Sequence, residues 1–333
     1  VRLMEWMPSL ALLIATPLIV ILLYAFHAFC FAKDLVYLGN VMRDAGGDAK
    51  HLDIYSYFEA VTKERPKLSM SIECYHMETR TSGSGKKLTM ELGGKSPQVV
   101  FEDADIENTL NGITSGIFLS NGQSCVAGSR LIIHQSIHDR FVEKLQQRLA
   151  HLKMGNPHDS EVHIGPIANK AQLDKIVAMV KQAKADGARV VAGGSRANVE
   201  GFEGGYFYPP TILVDVGFNT QIWREEVFGP VLCVTKFDQV REAIDLANNT
   251  DYGLAAGIWA SDEALAKSVS KQINAGTVYI NHYRSVNACV PVGGVKKSGY
   301  GRELGPYAVE AFMQEKAIWT GESKMADPFP NCR

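Results

Sequence analysis

Strand-like and helix-like stretches alternate along the chain from residue 98 onwards. Short runs rich in β-branched residues are followed by longer runs in which apolar residues recur every three or four positions. The predicted strands are 98–101, 131–134, 189–192, 231–237, 254–260 and 277–281. The predicted helices are 106–119, 137–152, 168–185, 240–248 and 262–274. This alternation is typical of βαβ units and predicts an α/β fold with a mostly parallel sheet flanked by helices.

Residues that favour helix ends support two of these boundaries. Ser261 is the predicted N-cap of helix 262–274, because its hydroxyl can accept a hydrogen bond from the first turn. Gly276 follows that helix where a C-terminal glycine is expected, and Gly187 follows helix 168–185 in the same manner. The pattern therefore predicts where both helices stop.

The N-terminal part of the chain lacks this alternation. Residues 9–32 form a run of about 24 residues without a charged side chain, long enough to cross a bilayer as a helix. This run predicts a membrane anchor, with a buried helix or a stretch foreign to the domain behind it as the alternatives. Residues 33–82 show no sustained periodicity and are interpreted as a linker or a foreign segment.

Composition excludes several classes of protein. The 34 basic and 36 acidic side chains give a net charge of −2, which argues against nucleic acid as a partner bound through overall charge. With 46% hydrophobic and 21% charged residues, the chain has the composition of a globular protein. The 6 cysteines are scattered singly, which favours free thiols and predicts a cytoplasmic location, with 9–32 as the candidate membrane attachment.

Two residues stand in surroundings that suit catalysis. Cys125 lies in the small-residue segment 121–128, where a substrate and backbone N–H groups can approach the sulfur closely. Glu91 precedes the pair Gly93 and Gly94, a compact backbone turn of the kind that carries general bases. Each has an ordinary alternative, since a lone cysteine is more often a small buried apolar residue and a lone glutamate a solvated charge.

Six segments, in order, resemble motifs of the aldehyde dehydrogenase superfamily. They are MELGGKSP at 90–97, FLSNGQSCVAGS at 118–129, GPI at 165–167, GYFYPPT at 205–211, EEVFGP at 225–230 and GGVKKSGYGRE at 293–303. A single match would be weak evidence, whereas six in the order of the family, spread over residues 83–320, are specific.

The resemblance implies a role for particular residues. Cys125 is the implied nucleophile, and Glu91 the implied base that activates the hydrolytic water. Glu226 matches the position that holds the nicotinamide ribose, and Phe228 matches the position that packs beside the nicotinamide. Leu92 is assigned to the cofactor side together with these two residues. The resemblance implies NAD or NADP as the cofactor and a small-molecule aldehyde as the substrate.

The resemblance also divides the chain. It implies a possible anchor at 1–32, an unassigned linker or non-family segment at 33–82, a remnant of the nucleotide-binding domain at 83–94, a catalytic domain at 95–300 and a C-terminal segment at 301–333. No stretch is similar to the P-W-N, K-P-[AS]-E or F-T-G-S motifs of the family. We therefore expect a catalytic half with an incomplete Rossmann-like nucleotide-binding part, behind truncated or replaced sequence.

Two further expectations follow from the resemblance. Glu303 matches a position proposed for proton relay. Residues 314–320 are similar to the C-terminal strand through which family members form homo-oligomers. The hairpin that pairs with this strand belongs to the N-terminal part, so the unpaired strand is expected to promote aggregation.

The expected function is oxidation of an aldehyde to a carboxylic acid through a thiohemiacetal and a thioester on Cys125. One alternative is a cofactor-independent esterase that uses the same cysteine and Glu91. The other alternative is an inactive truncated member of the family.

Overall fold

The computed structural model describes residues 86–321, 324–326 and 328. The chain divides into two units, Val1–Ser69 and Met70–Arg333, and every described residue belongs to the second. In the described part, no helix combines the length and apolarity that a membrane crossing needs. The predicted anchor at 9–32 lies outside the described residues, and the predicted domain boundaries remain predictions.

The core of the second unit is a seven-stranded sheet. Its strands are β2 (Pro97–Val100), β3 (Arg130–His134), β4 (Arg189–Ala192), β5 (Thr211–Val214), β6 (Val231–Phe237), β7 (Ala255–Trp259) and β8 (Thr277–Ile280). They lie in the order β4-β5-β6-β3-β2-β7-β8, and only the edge pair β4–β5 is antiparallel. A separate antiparallel ladder joins β1 (Met90–Glu91) to β9 (Gly299–Tyr300). The predicted mostly parallel sheet is confirmed.

Helices cover both faces of this sheet. They are α1 (Ile106–Phe118), α2 (Gln135–Leu149), α3 (Lys170–Ala185), α4 (Gln221–Arg224), α5 (Val240–Asn248), α6 (Glu263–Ser270) and α7 (Gly305–Glu310). One buried apolar cluster joins the sheet to α3, α5 and α6, and a second joins it to α1 and α2. In β3, Ile132 belongs to the first cluster and Leu131 and Ile133 to the second. Strands buried on both faces explain the continuous apolar runs in the sequence.

Two predicted helix ends are wrong for identifiable reasons. The Asp262 carboxylate, not Ser261, caps α6 by accepting hydrogen bonds from the first turn, while the Ser261 hydroxyl donates to the Asp103 carbonyl. The helix ends at Ser270 because Asn248 holds the following backbone through hydrogen bonds to residues 272 and 274. These contacts with a distant part of the chain cannot be read from local propensity.

Gly276 therefore has a different role from the predicted helix stop. A Cβ at this position would lie 1.6 Å from the Gly293 carbonyl oxygen, so the close approach of two backbone segments requires glycine. Gly187, by contrast, follows α3 with a φ of +99°, as predicted for a C-terminal glycine.

The C-terminal segment is highly exposed in the described part of the chain. Phe312, Ile318 and Trp319 are 92%, 81% and 94% exposed, and residues 314–320 form no strand in this single chain. The homo-oligomer that would pair this segment stays a prediction.

We predict that Gly299→Ala will disrupt the β1–β9 ladder. Gly299 has a φ of +112°, and an added Cβ would lie 1.8 Å from the Met90 carbonyl oxygen. Gly187→Ala is the matched control, because Gly187 also has positive φ but no atom within 4 Å of an added Cβ. Strain alone costs about 1–2 kcal/mol in the control, and the clash should cost at least about 2 kcal/mol more at Gly299. Urea unfolding measures both free energies, and equal losses would contradict the predicted clash.

Candidate active site

Three loops that precede neighbouring strands meet at one edge of the sheet. The strands β2, β3 and β6 are adjacent and parallel, so their amino ends lie on the same side. Glu91 lies six residues before β2, Cys125 five residues before β3, and Glu226 five residues before β6. The strand pairing therefore brings these three predicted residues to a common edge.

Cys125 lies at the corner of a tight turn and is exposed. The Ala127 N–H donates to the Ser124 carbonyl at 3.0 Å and closes this turn around Cys125. The Gly128 N–H donates to the Gly116 carbonyl at 3.1 Å, which ties the turn to α1. The nucleophile turn, defined here as residues 124–127, thus presents its thiol on a fixed backbone.

The loop ahead of this turn has a strained backbone. Ser120 and Asn121 both have a φ of +55°, which costs a non-glycine residue about 1–2 kcal/mol. The Asn121 side-chain amide donates to the carbonyls of Gly165, at 3.1 Å, and Pro166, at 2.9 Å. The sequence indicated no role for the Gly-Pro motif. In the structure its carbonyls hold Asn121 and so fix the loop that leads into the nucleophile turn.

Gly94 joins the loops that carry the cysteine and Glu226. A Cβ on Gly94 would lie 2.4 Å from the Cys125 carbonyl oxygen, so this packing requires glycine. The Gly94 N–H donates to Glu226 Oε1 at 3.0 Å. Gly94 and Glu226 also line a small cavity beside the turn, together with Ser124 and Phe228.

Glu91 is held through its backbone. It pairs with Gly299 in the β1–β9 ladder, and the next N–H, that of Leu92, donates to the Ser298 carbonyl at 3.1 Å. The buried Ser298 hydroxyl donates to the Gly93 carbonyl at 2.7 Å. The C-terminal motif therefore fixes the backbone of Glu91 and Leu92, while the Glu91 side chain stays exposed.

Phe228 lies on another strained turn at the same cavity. Its φ is +55°, and Gln172 on α3 donates from Nε2 to the carbonyls of Val227, at 2.8 Å, and Phe228, at 2.9 Å. A Cβ on Gly122 would lie 2.2 Å from the Gly229 carbonyl oxygen, so the nucleophile loop packs tightly against this turn. Contacts from two directions hold a backbone conformation that is unfavourable by itself.

Comparison with known proteins identifies the family. A match to the aldehyde dehydrogenase family covers residues 72–318. The chain belongs to this family. It is 45% identical to a betaine aldehyde dehydrogenase of Mesorhizobium japonicum over 244 residues, 73% of this chain and 50% of that protein. It is 40% identical to an aldehyde dehydrogenase of Aspergillus niger over 294 residues, 85% of this chain and 58% of that protein.

Solved structures agree with this assignment. The NAD+ complex of an aldehyde dehydrogenase from Bacillus cereus matches with a TM-score of 0.73 and 39% identity, covering 76% of this chain and 51% of that chain. The predicted aldehyde-dehydrogenase-like α/β fold is confirmed. The chain spans about half the length of the curated relatives it matches.

Electrostatics at the cysteine of this aldehyde dehydrogenase family member favour the thiol over the thiolate. Although Cys125 is exposed, partial desolvation by the surrounding protein raises its pKa, and the Glu226 and Glu91 carboxylates raise it further. Hydrogen bonds from the backbone N–H groups of Val126 and of the cysteine itself act in the opposite direction and lower that pKa. The local backbone is thus the main support for the thiolate.

The pKa of Glu91 is also perturbed. Burial raises it, the Glu303 carboxylate raises it further, and Arg302 lowers it. A raised pKa brings a carboxylate closer to the range in which it exchanges protons at neutral pH. Glu303 therefore acts electrostatically on the candidate base.

Two buried basic side chains lie behind the site, and the sequence analysis did not single them out. The Arg130 guanidinium donates to the carbonyls of Lys95 (2.8 Å), Leu246 (2.9 Å) and Ala247 (2.7 Å) and stacks over Trp223. Burial lowers the pKa of Arg130 to about 9, so it stays charged at pH 7. Burial also lowers the pKa of Lys95, whose Nζ has no hydrogen-bond partner among the described residues.

The structure thus places Glu226 and Phe228 at a cavity beside the turn that carries Cys125, and the Glu91 and Glu226 carboxylates act on the pKa of that cysteine. Leu92 follows Glu91 in the loop that leads to Gly94. The residues that sequence reasoning missed are those that hold the loops through backbone carbonyls, such as Gln172 and Arg130. Long-range hydrogen bonds of this kind leave no local sequence signal. Across the described ranges, no group of three His, Cys, Asp or Glu side chains could hold a metal ion.

We predict that Glu226→Gln will make Cys125 more reactive towards iodoacetamide. Removing the negative charge lowers the thiol pKa, so the pH profile of alkylation moves to lower pH and the rate at pH 8 rises about threefold. The amide oxygen can still accept from Gly94, which preserves the loop contact. Glu225→Gln is the control, because the Glu225 carboxylate accepts from Gln221. If the pH profile of Cys125 alkylation in Glu226→Gln coincides with that of the wild type, the proposed effect of the Glu226 charge on the thiol pKa is contradicted.

Proposed function

We propose that this chain oxidises an aldehyde to its carboxylic acid with NAD+ or NADP+, using Cys125 as the nucleophile and Glu91 as the general base. The observation that carries this proposal is an exposed thiol on a fixed turn, flanked by Glu226 and Glu91. The names of the relatives support the class of reaction, since they are a betaine aldehyde dehydrogenase and an aldehyde dehydrogenase.

In the first step, the Cys125 thiolate attacks the aldehyde carbon and forms a thiohemiacetal. The backbone N–H groups of Cys125 and Val126 lower the pKa of the thiol and so favour its charged form before attack. The Cys125 N–H is then available to the oxygen anion that develops on the substrate carbon. Bound NAD+ or NADP+ would supply the hydride acceptor that oxidation of the thiohemiacetal to a thioester requires.

In the second step, Glu91 takes a proton from water as the water attacks the thioester carbon. The carbon–sulfur bond then breaks, which releases the carboxylic acid and restores the Cys125 thiolate. The exposed side chain of Glu91 suits this role, because a base for water needs access to solvent. Its raised pKa strengthens it as a proton acceptor relative to an unperturbed carboxylate.

We assign Glu226, Phe228 and Leu92 to the nicotinamide end of the cofactor from the chemistry of their side chains. Glu226 is buried with one oxygen on the Gly94 N–H, and a carboxylate has further lone pairs for ribose hydroxyl groups. Phe228 offers a flat apolar surface beside the cavity, and Leu92 lies in the adjoining loop. The NAD+ complex of the Bacillus cereus relative supports this choice of cofactor.

We predict that substitution of the two catalytic candidates will separate the two steps. Cys125→Ala should abolish NADH formation, because no thiohemiacetal can form. Glu91→Gln should keep a first turnover of NADH and then slow by at least about a hundredfold, because the thioester hydrolyses without its base. Stopped-flow absorbance at 340 nm with a panel of aldehydes measures the burst and the steady rate. A slowed burst in Glu91→Gln would instead assign Glu91 to the first step.

Calorimetric titration with NAD+ and NADP+ tests the cofactor independently of the aldehyde. Saturable binding that weakens in Glu226→Gln supports the proposed site. Ester hydrolysis that is indifferent to NAD+ and lost in Cys125→Ala, without any cofactor binding, would support a cofactor-independent hydrolase instead. A folded protein with neither activity would be an inactive family member.

A further inference from the structure

We propose that Tyr283 is a positioning residue that holds the nucleophile turn through the hydrogen bond from its hydroxyl to the Val126 carbonyl. This inference rests on the proposed role of Cys125. The hydrogen bond is 2.8 Å long and links residues 157 positions apart in the chain. Tyr283 follows β8, the edge strand of the sheet, so the loop after an edge strand reaches the turn that presents the thiol.

Next to the turn, the Gly128 N–H donates to the Gly116 carbonyl of α1, so the other attachment to a helix is a backbone hydrogen bond. The closing bond of the turn, from the Ala127 N–H to the Ser124 carbonyl, lies within the turn itself. The Cys125 carbonyl packs against Gly94 without a hydrogen bond from that residue. Within the described part of the chain, the Tyr283 hydroxyl is the side-chain donor to the Val126 carbonyl.

The ring of Tyr283 is fixed by its surroundings. Only 6% of the residue is exposed, and the ring packs edge-on against Tyr279 with centroids 5.2 Å apart. A Cβ added to Gly116 or Gly257 would lie 3.0 Å from the ring, so both glycines make room for it. A rigid aromatic ring delivers its hydroxyl to one place with little loss of conformational entropy.

The carbonyl that Tyr283 holds belongs to the residue that supports the sulfur. The Val126 N–H is one of the two backbone groups that lower the pKa of Cys125, and the Val126 carbonyl on the other side of the same residue is the one that Tyr283 binds. Fixing that carbonyl limits rotation about Val126 and so holds the N–H of the same residue in place next to Cys125. Burial raises the pKa of Tyr283, so the hydroxyl remains a donor throughout the neutral pH range.

Alkylation of individual cysteines by iodoacetamide, followed by mass spectrometry of their peptides, tests this role in the full chain. In Tyr283→Phe the rate at Cys125 should fall about fivefold at pH 8, and its pH profile should move to higher pH. The matched control is Tyr279→Phe, because the Tyr279 hydroxyl donates to the Ser285 carbonyl, outside the turn. This variant should retain the wild-type rate and profile.

Two other cysteines provide internal references. Cys289 is exposed and Cys233 is buried, so the first reports reagent access and the second reports loss of the fold. A slowdown at Cys125 alone supports the proposal. Slowing at both Cys125 and Cys289, or rapid labelling of Cys233, would overturn it in favour of a general structural role.

A second variant separates the hydroxyl from the ring. Tyr283→Leu removes both the hydroxyl and the ring. The proposal requires that Tyr283→Phe, which removes the hydroxyl alone, slow the alkylation of Cys125 nearly as much as Tyr283→Leu does. If only the leucine variant slows the reaction, ring packing is responsible and the proposed hydrogen bond has no positioning role. The labelling needs neither an aldehyde nor NAD(P)+, so its result is independent of whether the dehydrogenase activity is found.

Discussion

The site depends on the parallel pairing of three neighbouring strands. In the order β6-β3-β2, Arg130 pairs with Pro97 on one side and with Cys233 on the other, so the three strands begin side by side. The loops that enter them must then share the same edge. A shift of register would move the turn at Cys125 away from Gly94, whose contact with its carbonyl leaves no room for a side chain.

A buried cation joins the elements that meet at this edge. The amino end of β3 carries Arg130, whose guanidinium donates to the Lys95 carbonyl of the loop before β2 and to the last carbonyls of α5. Carbonyl dipoles at the end of a helix are suitable partners for a buried cation. The same side chain therefore joins the entrance of β3, the loop before β2 and the end of a helix.

The sequence predicted the elements of this fold better than their arrangement. Strands such as 231–237 and helices such as 240–248 follow from local periodicity, and their bounds are confirmed. The order of the strands does not follow from periodicity, because it depends on which buried faces pack together. The predicted end of α6 was wrong because Asn248, at the end of another helix, hydrogen-bonds with the Gln272 carbonyl and the Asn274 N–H. These backbone groups are then not available to continue the helix. In the site, the motifs identified the loops, whereas Gln172 and Tyr283 act on them through backbone carbonyls that any residue type provides.

The two steps of the proposed reaction impose opposite electrostatic demands on one small volume. Hydrolysis of the thioester benefits from a carboxylate of raised pKa, which burial and Glu303 provide at Glu91. Attack by Cys125 benefits from a thiolate, which that carboxylate and Glu226 disfavour. A change in overall charge near the site would therefore help one step and harm the other. The backbone N–H groups of Cys125 and Val126 avoid this conflict, because a hydrogen bond acts locally on the cysteine and leaves the carboxylates unchanged. A well-defined backbone at Val126 can therefore favour the Cys125 thiolate without lowering the raised pKa of Glu91, the proposed base.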